Sequence, residues 1–389
     1  MSEPVYLDFA ATSALRPPEV VDAVCAYLRD VGATPGRSGH ARAVDAGRIA
    51  LRCRRSLAEL FAIEGDPGRI CFQLNATHAL NTALAGTLRA GDRLVRTEFD
   101  HNAVRRPAAA LAAGGVEVAV VSGRADGTVD LAEAEVLLRG SGRSARLLAL
   151  PHVSNVLGQR LPLRELADLA HAVGAMVLVD AAQSAGHIPI DVDALGIDLL
   201  AFTGHKGLLG PQGIGGLWVR DGIDVAPLLR GGTGGDSLPE EMPDSYPDHL
   251  EAGTLNGPGI AGLLAGVEWL SSRGVEALHQ TESRLKVRLH GELSAVADLR
   301  VRSPADPSGA GIVTFTSERI SADALARRLE REHGIQARAG LHCAPEAHRV
   351  IGTLADGAVR LSLGWASTET DVDRAVDAVA QLHDINSYA

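Results

Sequence analysis

Aromatic side chains are scarce in this chain of 389 residues, at 3% of positions. That leaves few platforms on which the bases of single-stranded nucleic acid stack. The formal charge of −11 points the same way, since phosphate backbones are held by an excess of lysine and arginine. No nucleic-acid partner is expected. There are four cysteines and no Cys-x-x-Cys pair, which excludes a disulfide framework and a zinc knuckle. No apolar run approaches the roughly 18 residues of a membrane span, so no membrane partner is expected. The stretch from Met1 to Ser13 has neither a basic region nor an apolar leader, and a reducing cytoplasm is the expected location. GxGxxG and Walker patterns are missing too, which disfavours a nucleotide phosphate as ligand.

What is present is enough apolar material for a large core, 46% of residues. From Arg69 to Arg220, short apolar runs alternate with helical periods. Strands are predicted at 69–72, 93–97, 116–122, 146–151, 176–180, 199–203 and 216–219. Helices are predicted between most of them, at 77–88, 131–138 and 163–173. This rhythm predicts an α/β fold built on a mainly parallel sheet. The polar stretch from Gly231 to Pro247 reads as a long functional loop. After Pro258 the pattern changes. Helices at 260–272 and 276–296 precede strands at 312–316, 336–339 and 358–363, mixed with helices at 322–332 and 371–383. A smaller α+β domain is expected there.

Chemistry-bearing residues gather at the predicted strand ends. Lys206 follows the strand at 199–203, where open α/β sheets bind ligands. An amine there is partly desolvated and usable as nucleophile or base. Asp180 ends the preceding strand, where a carboxylate needs a positive partner. A protonated pyridine nitrogen would be one; a helix cap or a metal ligand are the alternatives. Gln183 is placed to bond a ring oxygen. Asn75, Ala76 and Thr77 open a helix after a strand, a natural phosphate seat, although Thr77 also reads as an ordinary cap. Thr203 and His205 flank the lysine turn as further donors. His101 and Asn155 end two more strands. Arg360 alternates with Val359 and Leu361 on a strand and suits a carboxylate, or else a surface ion pair.

The cysteines divide. Cys25 keeps helical spacing with Val21, Val24 and Leu28, and Cys53 with Ile49, Leu57 and Leu60, so both read as core. Cys71 lies within a strand. Cys343 sits in a loop before Pro345, beside His342, and reads as an accessible thiol. A zinc site from His342, Cys343 and His348 matches no common spacing, and no metal is expected.

Together these segments resemble the cysteine desulfurases of the class V aminotransferase group, enzymes of fold type I that use pyridoxal 5'-phosphate. The resemblance spans nearly the whole chain. It is carried by residues 6–13, 75–81, 100–104, 152–158, 179–184, 203–206, 210–215, 251–254 and 338–343. Leu341 departs from it, standing where histidine is frequent, as does Ser367, where asparagine is frequent. The resemblance implies a large seven-stranded, cofactor-binding domain over 19–257. A small domain over 258–389 would carry Cys343 and Arg360, with an arm over 1–18 packed against it. It implies Lys206 as the Schiff-base lysine, Asp180 on the pyridine nitrogen, Gln183 on the ring oxygen and His101 stacked on the ring. Ala76, Thr77, Thr203 and His205 would hold the phosphate, with Thr254 reaching that of the other subunit of a homodimer. Ala11, Asn155, Arg338 and Arg360 would hold substrate. Lys206, His101 and Cys343 would be catalytic, Cys343 as sulfur acceptor. The implied reaction converts L-cysteine to L-alanine and passes sulfur to an acceptor protein. Selenocysteine lyase, another C–S lyase, an aminotransferase or a non-catalytic sulfur relay are the alternatives on the same fold.

Overall fold

In the computed structural model the central apolar runs become strands buried on both faces. Residues 3–35, 39–235 and 238–384 are described. In chain order the elements are β1 (Val5–Tyr6), α1 (Pro18–Ala26), α2 (Ala41–Leu60), β2 (Ile70–Gln73), α3 (Ala76–Thr87), β3 (Arg93–Thr97), α4 (Asn102–Ala113), β4 (Glu117–Val121), α5 (Leu131–Arg139), β5 (Leu147–Pro151), α6 (Leu163–His171), β6 (Met176–Asp180), β7 (Leu199–Thr203) and β8 (Gly215–Val219). There follow α7 (Gly257–Arg273), α8 (Val275–Ser294), β9 (Leu299–Val301), β10 (Ile312–Ser317), α9 (Ala322–His333), β11 (Ile335–Gln336), β12 (Arg338–Gly340), α10 (Pro345–Val350), β13 (Ala358–Ser362) and α11 (Glu369–His383).

The large sheet has the order β2-β8-β7-β6-β5-β3-β4. All its pairs are parallel except those of β8, which runs against both neighbours. Alternation along each strand feeds two cores. Leu200 and Phe202 join α2, α6 and α7 on one face. Leu199 and Ala201 join α3 and α4 on the other. Cys53 lies in the first core and Cys71 in the second, both fully buried. Burial pushes both thiols up, so neither is available as a nucleophile.

Cys25 departs from the sequence expectation. It is exposed, as are Val21 and Leu28. Helix α1 buries Val20 instead, and of the residues in the predicted stripe only Val24 is half-buried. Helix α7 buries Ile260, Leu263, Val267 and Leu270 in the large core and packs on α1 and α2. Its Gly266 permits this approach, because a Cβ there would meet the Leu208 carbonyl oxygen at 2.4 Å.

Apart from α10, whose Ala347 packs in the large core, the remaining elements form the smaller body. Its four-stranded antiparallel sheet has the order β12-β13-β10-β9, packed by α8, α9 and α11. The strand expected at 336–339 divides into β11 and β12. β11 leaves that sheet and pairs in parallel with β1, whose Val5 joins Leu7 in the small core. The segment from Gly231 to Pro247 carries no helix or strand among its described residues.

Candidate functional site

Five strand ends converge on one cavity of about 260 Å³, whose opposite wall is supplied by the small body. They are the carboxyl ends of β2, β3, β5, β6 and β7. Because β8 runs backwards, its start at Gly215 pairs with both Gln73 and Thr203, which brings the ends of β2 and β7 to the same edge.

Lys206 follows β7 in a turn held from the N-terminal arm. Ser13 Oγ donates to the Lys206 carbonyl at 2.9 Å and the Ser13 amide to the His205 carbonyl at 2.8 Å. Burial pulls the lysine pKa down to about 8; Asp180 resists this, while Arg360 and Arg338 add to it. Asp180 ends β6 and accepts from the Ala182 amide at 2.9 Å. Burial raises its pKa against the pull of that amide and Lys206. A buried carboxylate of this kind calls for a further positive partner.

His101 caps α4, its Nδ1 accepting from the Ala103 amide at 3.0 Å. Burial lowers its pKa to about 4, helped by Lys206 and nearby arginines. The ring is therefore neutral near pH 7, with its proton on Nε2. His205, also lowered to about 4 chiefly by burial, has Nδ1 3.1 Å from Thr12 Oγ1. That hydroxyl in turn donates to the His205 carbonyl.

The start of α3 forms an anion seat. Asn75 Oδ1 caps the His78 amide at 3.0 Å, which leaves the Ala76 and Thr77 amides at the helix end without intrahelical acceptors. Both residues line the cavity. So does Thr203, whose Oγ1 is buried with no partner among the described residues. An unpaired buried hydroxyl beside a helix N-terminus is suited to a phosphate oxygen.

From the small body come two arginines, Arg338 on β12 directly opposite Arg360 on β13. Arg360 is 1% exposed. It donates through Nη1 to the Asn155 carbonyl at 2.9 Å and through Nη2 to Asp8 Oδ1 at 3.0 Å. Its Nε is buried and unpaired among the described residues. Two guanidinium groups side by side offer a carboxylate both charge and donors. Gln183 lines the cavity, but its Nε2 donates to the Ala10 carbonyl at 3.0 Å. Ala11 lies on the same wall.

Cys343 lies beside the cavity rather than on its wall. It is exposed, and its Sγ is 3.9 Å from Arg338 Nη2. The loop holding it is left-handed at two consecutive residues, His342 (φ 48°) and Cys343 (φ 58°). Each costs about 1–3 kcal/mol and persists only where the surroundings enforce it. They are enforced by Asn155 Nδ2 donating to the His342 carbonyl at 2.6 Å and by the Asn102 amide donating to the Cys343 carbonyl at 2.8 Å.

Thr254 stands apart from this cavity. It borders a separate cleft with Arg54, Gly232 and Glu251. His342, read from the sequence as a neighbour of the thiol and as a zinc ligand without a common spacing, lines the cavity. It and His348 bond to each other at 3.1 Å instead of converging with Cys343 on an ion. No cluster of three or more metal-type ligands occurs among the described residues. The alternating strand around Arg360 signalled that arginine, but nothing in the spacing of His342 separates it from a solvated loop histidine.

The cavity fits pyridoxal phosphate. It pairs an amine with a lowered pKa, a buried carboxylate for a pyridine nitrogen, a flat neutral imidazole and an unpaired phosphate seat.

Comparison with known proteins agrees. The aminotransferase class-V family profile matches residues 5–375. A cysteine desulfurase of Escherichia coli is 35% identical over 388 residues, covering 97% of this chain and 93% of the relative. A probable cysteine desulfurase of Methanothermobacter thermautotrophicus is 32% identical over 375 residues, 95% of this chain and 92% of the relative. Among solved structures, the apo cysteine desulfurase of Thermococcus onnurineus superposes with a TM-score of 0.89 at 31% identity, covering 98% of this chain and 94% of that one. The S-sulfonic acid form of an Escherichia coli cysteine desulfurase gives 0.87 at 30% identity, covering 97% and 94%. With the profile matched over almost its full length and a lysine, aspartate and histidine set at the expected strand ends, this chain belongs to the class-V aminotransferase family.

Proposed function

We propose that the chain is a pyridoxal-phosphate-dependent cysteine desulfurase, converting L-cysteine to L-alanine and leaving sulfur on Cys343. One observation carries the reading beyond the family. An exposed thiol is held in a constrained loop beside the cavity that contains Lys206 and Asp180. The names of the relatives support it.

Lys206, Asp180 and His101 would hold the cofactor, with Gln183 beside its ring. Ala76, Thr77, Thr203 and His205 would hold its phosphate. When bound, the group supplies an electron sink for the substrate Cα. Arg360 and Arg338 receive the substrate carboxylate, with Asn155 and Ala11 on the adjoining wall. The Lys206 amine, with its pKa near 8, is poised to take the Cα proton and return it. Neutral His101 carries a proton on Nε2 within the same cavity. Cys343 attacks the substrate sulfur as a thiolate. A bond forms between the two sulfurs and the substrate C–S bond breaks. Its electron pair stays on carbon, which becomes the methyl group of alanine after protonation. The Cys343 persulfide then passes to an acceptor protein or a reductant.

Thr254 lies outside its own chain's cavity, which supports a homodimer in which it reaches the partner's phosphate seat. No described helix is long and apolar enough to cross a membrane, which is compatible with a cytoplasmic enzyme. A second reading, selenocysteine lyase, draws on the position of Cys343 outside the cavity wall. Selenium can leave carbon without thiolate attack.

Product analysis with L-cysteine and a reductant tests the proposal. Wild type is expected to release alanine. Cys343→Ser should lose that turnover while keeping the visible absorbance of bound cofactor. Unchanged turnover in Cys343→Ser overturns the acceptor role. Selenocysteine turnover alone, in both proteins, supports the lyase.

A further inference from the structure

Behind the Cys343 loop lies a chain of three buried polar side chains that the proposed chemistry does not use. His342 is 3% exposed, His348 is fully buried and Thr353 is 4% exposed. The two imidazole planes lie within 25° of each other, with centroids 5.2 Å apart. His342 Nδ1 is 3.1 Å from His348 Nε2, and His348 Nδ1 is 2.7 Å from Thr353 Oγ1.

The direction of every bond follows from one fixed acceptor. His342 Nε2 lies 3.4 Å from the Arg338 carbonyl, which can only accept. Nε2 therefore carries the proton and Nδ1 accepts. His348 Nε2 must then donate to it, and His348 Nδ1 accepts from the Thr353 hydroxyl. Burial lowers His342 to about 2 and His348 to about 4, with Arg360 adding to both. Both rings stay neutral near pH 7, so each bond of the chain keeps one direction.

Its far end is the residue that sets the thiol. His342 precedes Cys343, and both backbones are left-handed. The His342 carbonyl is already gripped by Asn155, so the imidazole is the second point that fixes the plane of the loop. Buried donors and acceptors matched in this way hold a side chain in one place.

We infer that His348 and Thr353 are positioning residues for the Cys343 sulfur, acting through the side chain of His342. The inference rests on the proposed role of Cys343, but the geometry it asserts is measurable without turnover. The variants are His348→Leu, His348→Gln and Thr353→Val, all in cofactor-loaded protein. Gln keeps a donor near the position of His348 Nε2; Leu does not.

Hydrogen exchange of the amides from Leu341 to Ala344 is read first. It should speed up by roughly tenfold or more in His348→Leu, and stay near wild type in His348→Gln. Turnover of L-cysteine is read second. A displacement of about 1 Å costs roughly a hundredfold in such a step. The kcat in His348→Leu should therefore fall by about 10- to 100-fold with little change in KM, with selenocysteine turnover less affected. Thr353→Val should show the same effects more weakly, and it decides the matter if His348→Leu does not fold. Wild-type exchange and wild-type cysteine kcat in both His348→Leu and Thr353→Val overturn the inference. If wild type releases no alanine from cysteine, the proposed function fails, while faster exchange in His348→Leu still upholds the positioning of the loop.

Discussion

Asn155 Nδ2 donates to the His342 carbonyl at 2.6 Å, while the Asn155 carbonyl accepts from Arg360 at 2.9 Å. One residue of the large body thus holds both the loop of the candidate sulfur acceptor and the arginine of the candidate carboxylate site. Asn155→Ala removes the first bond and leaves a carbonyl near the cavity without its donor. We expect a loss of about 1–3 kcal/mol, measured by urea unfolding, together with reduced cysteine turnover. Unchanged stability and turnover would show that the carbonyl finds another donor.

Lys206 reacts with a carbonyl as the free amine. With its pKa lowered to about 8, chiefly by burial, the reactive fraction grows as pH rises from 6 to 9. The rate at which apo protein develops the visible band of bound pyridoxal phosphate should rise through this interval and level above it. Asp180→Asn removes the charge that raises the lysine, so its midpoint should fall. A midpoint near that of an ordinary lysine, about 10.4, would refute the lowered value.

His187 and Glu282 form a buried pair, Nδ1 to Oε2 at 2.9 Å. Burial lowers the His187 pKa, but the charge and hydrogen bond of Glu282 more than reverse this. For Glu282, burial is outweighed by His187 and the Gly311 amide, so it is held low. A raised histidine stabilises fully below its unfolded value and loses this as pH climbs through its folded one. A depressed glutamate stabilises above its unfolded value and loses this as pH falls. The pair therefore contributes most between about pH 5 and pH 6.5. Glu282→Gln should cost about 3–5 kcal/mol there and less at pH 9, as followed by denaturant unfolding. A pH-independent loss contradicts a charged pair.

Gly207 follows the lysine. A Cβ there would lie 2.4 Å from the Ala185 carbonyl oxygen and 2.5 Å from His187 Cδ2. Gly207→Ala must shift the turn that carries Lys206. The expected result is a destabilisation of about 1–3 kcal/mol and cofactor affinity at least tenfold weaker, measured by absorbance titration. Wild-type affinity would mean that the turn moves without moving the amine.

The sequence disclosed the sheet well because polar or turn-forming residues end its buried strands. β3, β6 and β7 match their predicted limits, and Asp180 and Lys206 were found by standing at those ends. The direction of β8 was not legible: a strand buried on both faces shows the same apolar run whichever way it points. The packing of helix α7 was not legible for a related reason. It buries residues around most of its circumference, so no polar face reveals which body it joins. Cys25 kept a helical spacing on the wrong face of α1. The partners of His342 were not legible because they are tertiary, His348 for its ring and Asn155 for its carbonyl, rather than part of a local pattern.

The Ala10 amide bonds Ser362 Oγ, and Asp8 bonds Arg360, each across 352 positions of chain. Ser13 and Thr12 meanwhile grip the lysine turn. During synthesis, the arm leaves the ribosome long before its β13 partners exist. At about 5–20 residues per second, it waits on the order of a minute or less. The wall that carries Arg338 and Arg360 is not complete until then. A chain released early would present the lysine without the arginines opposite it.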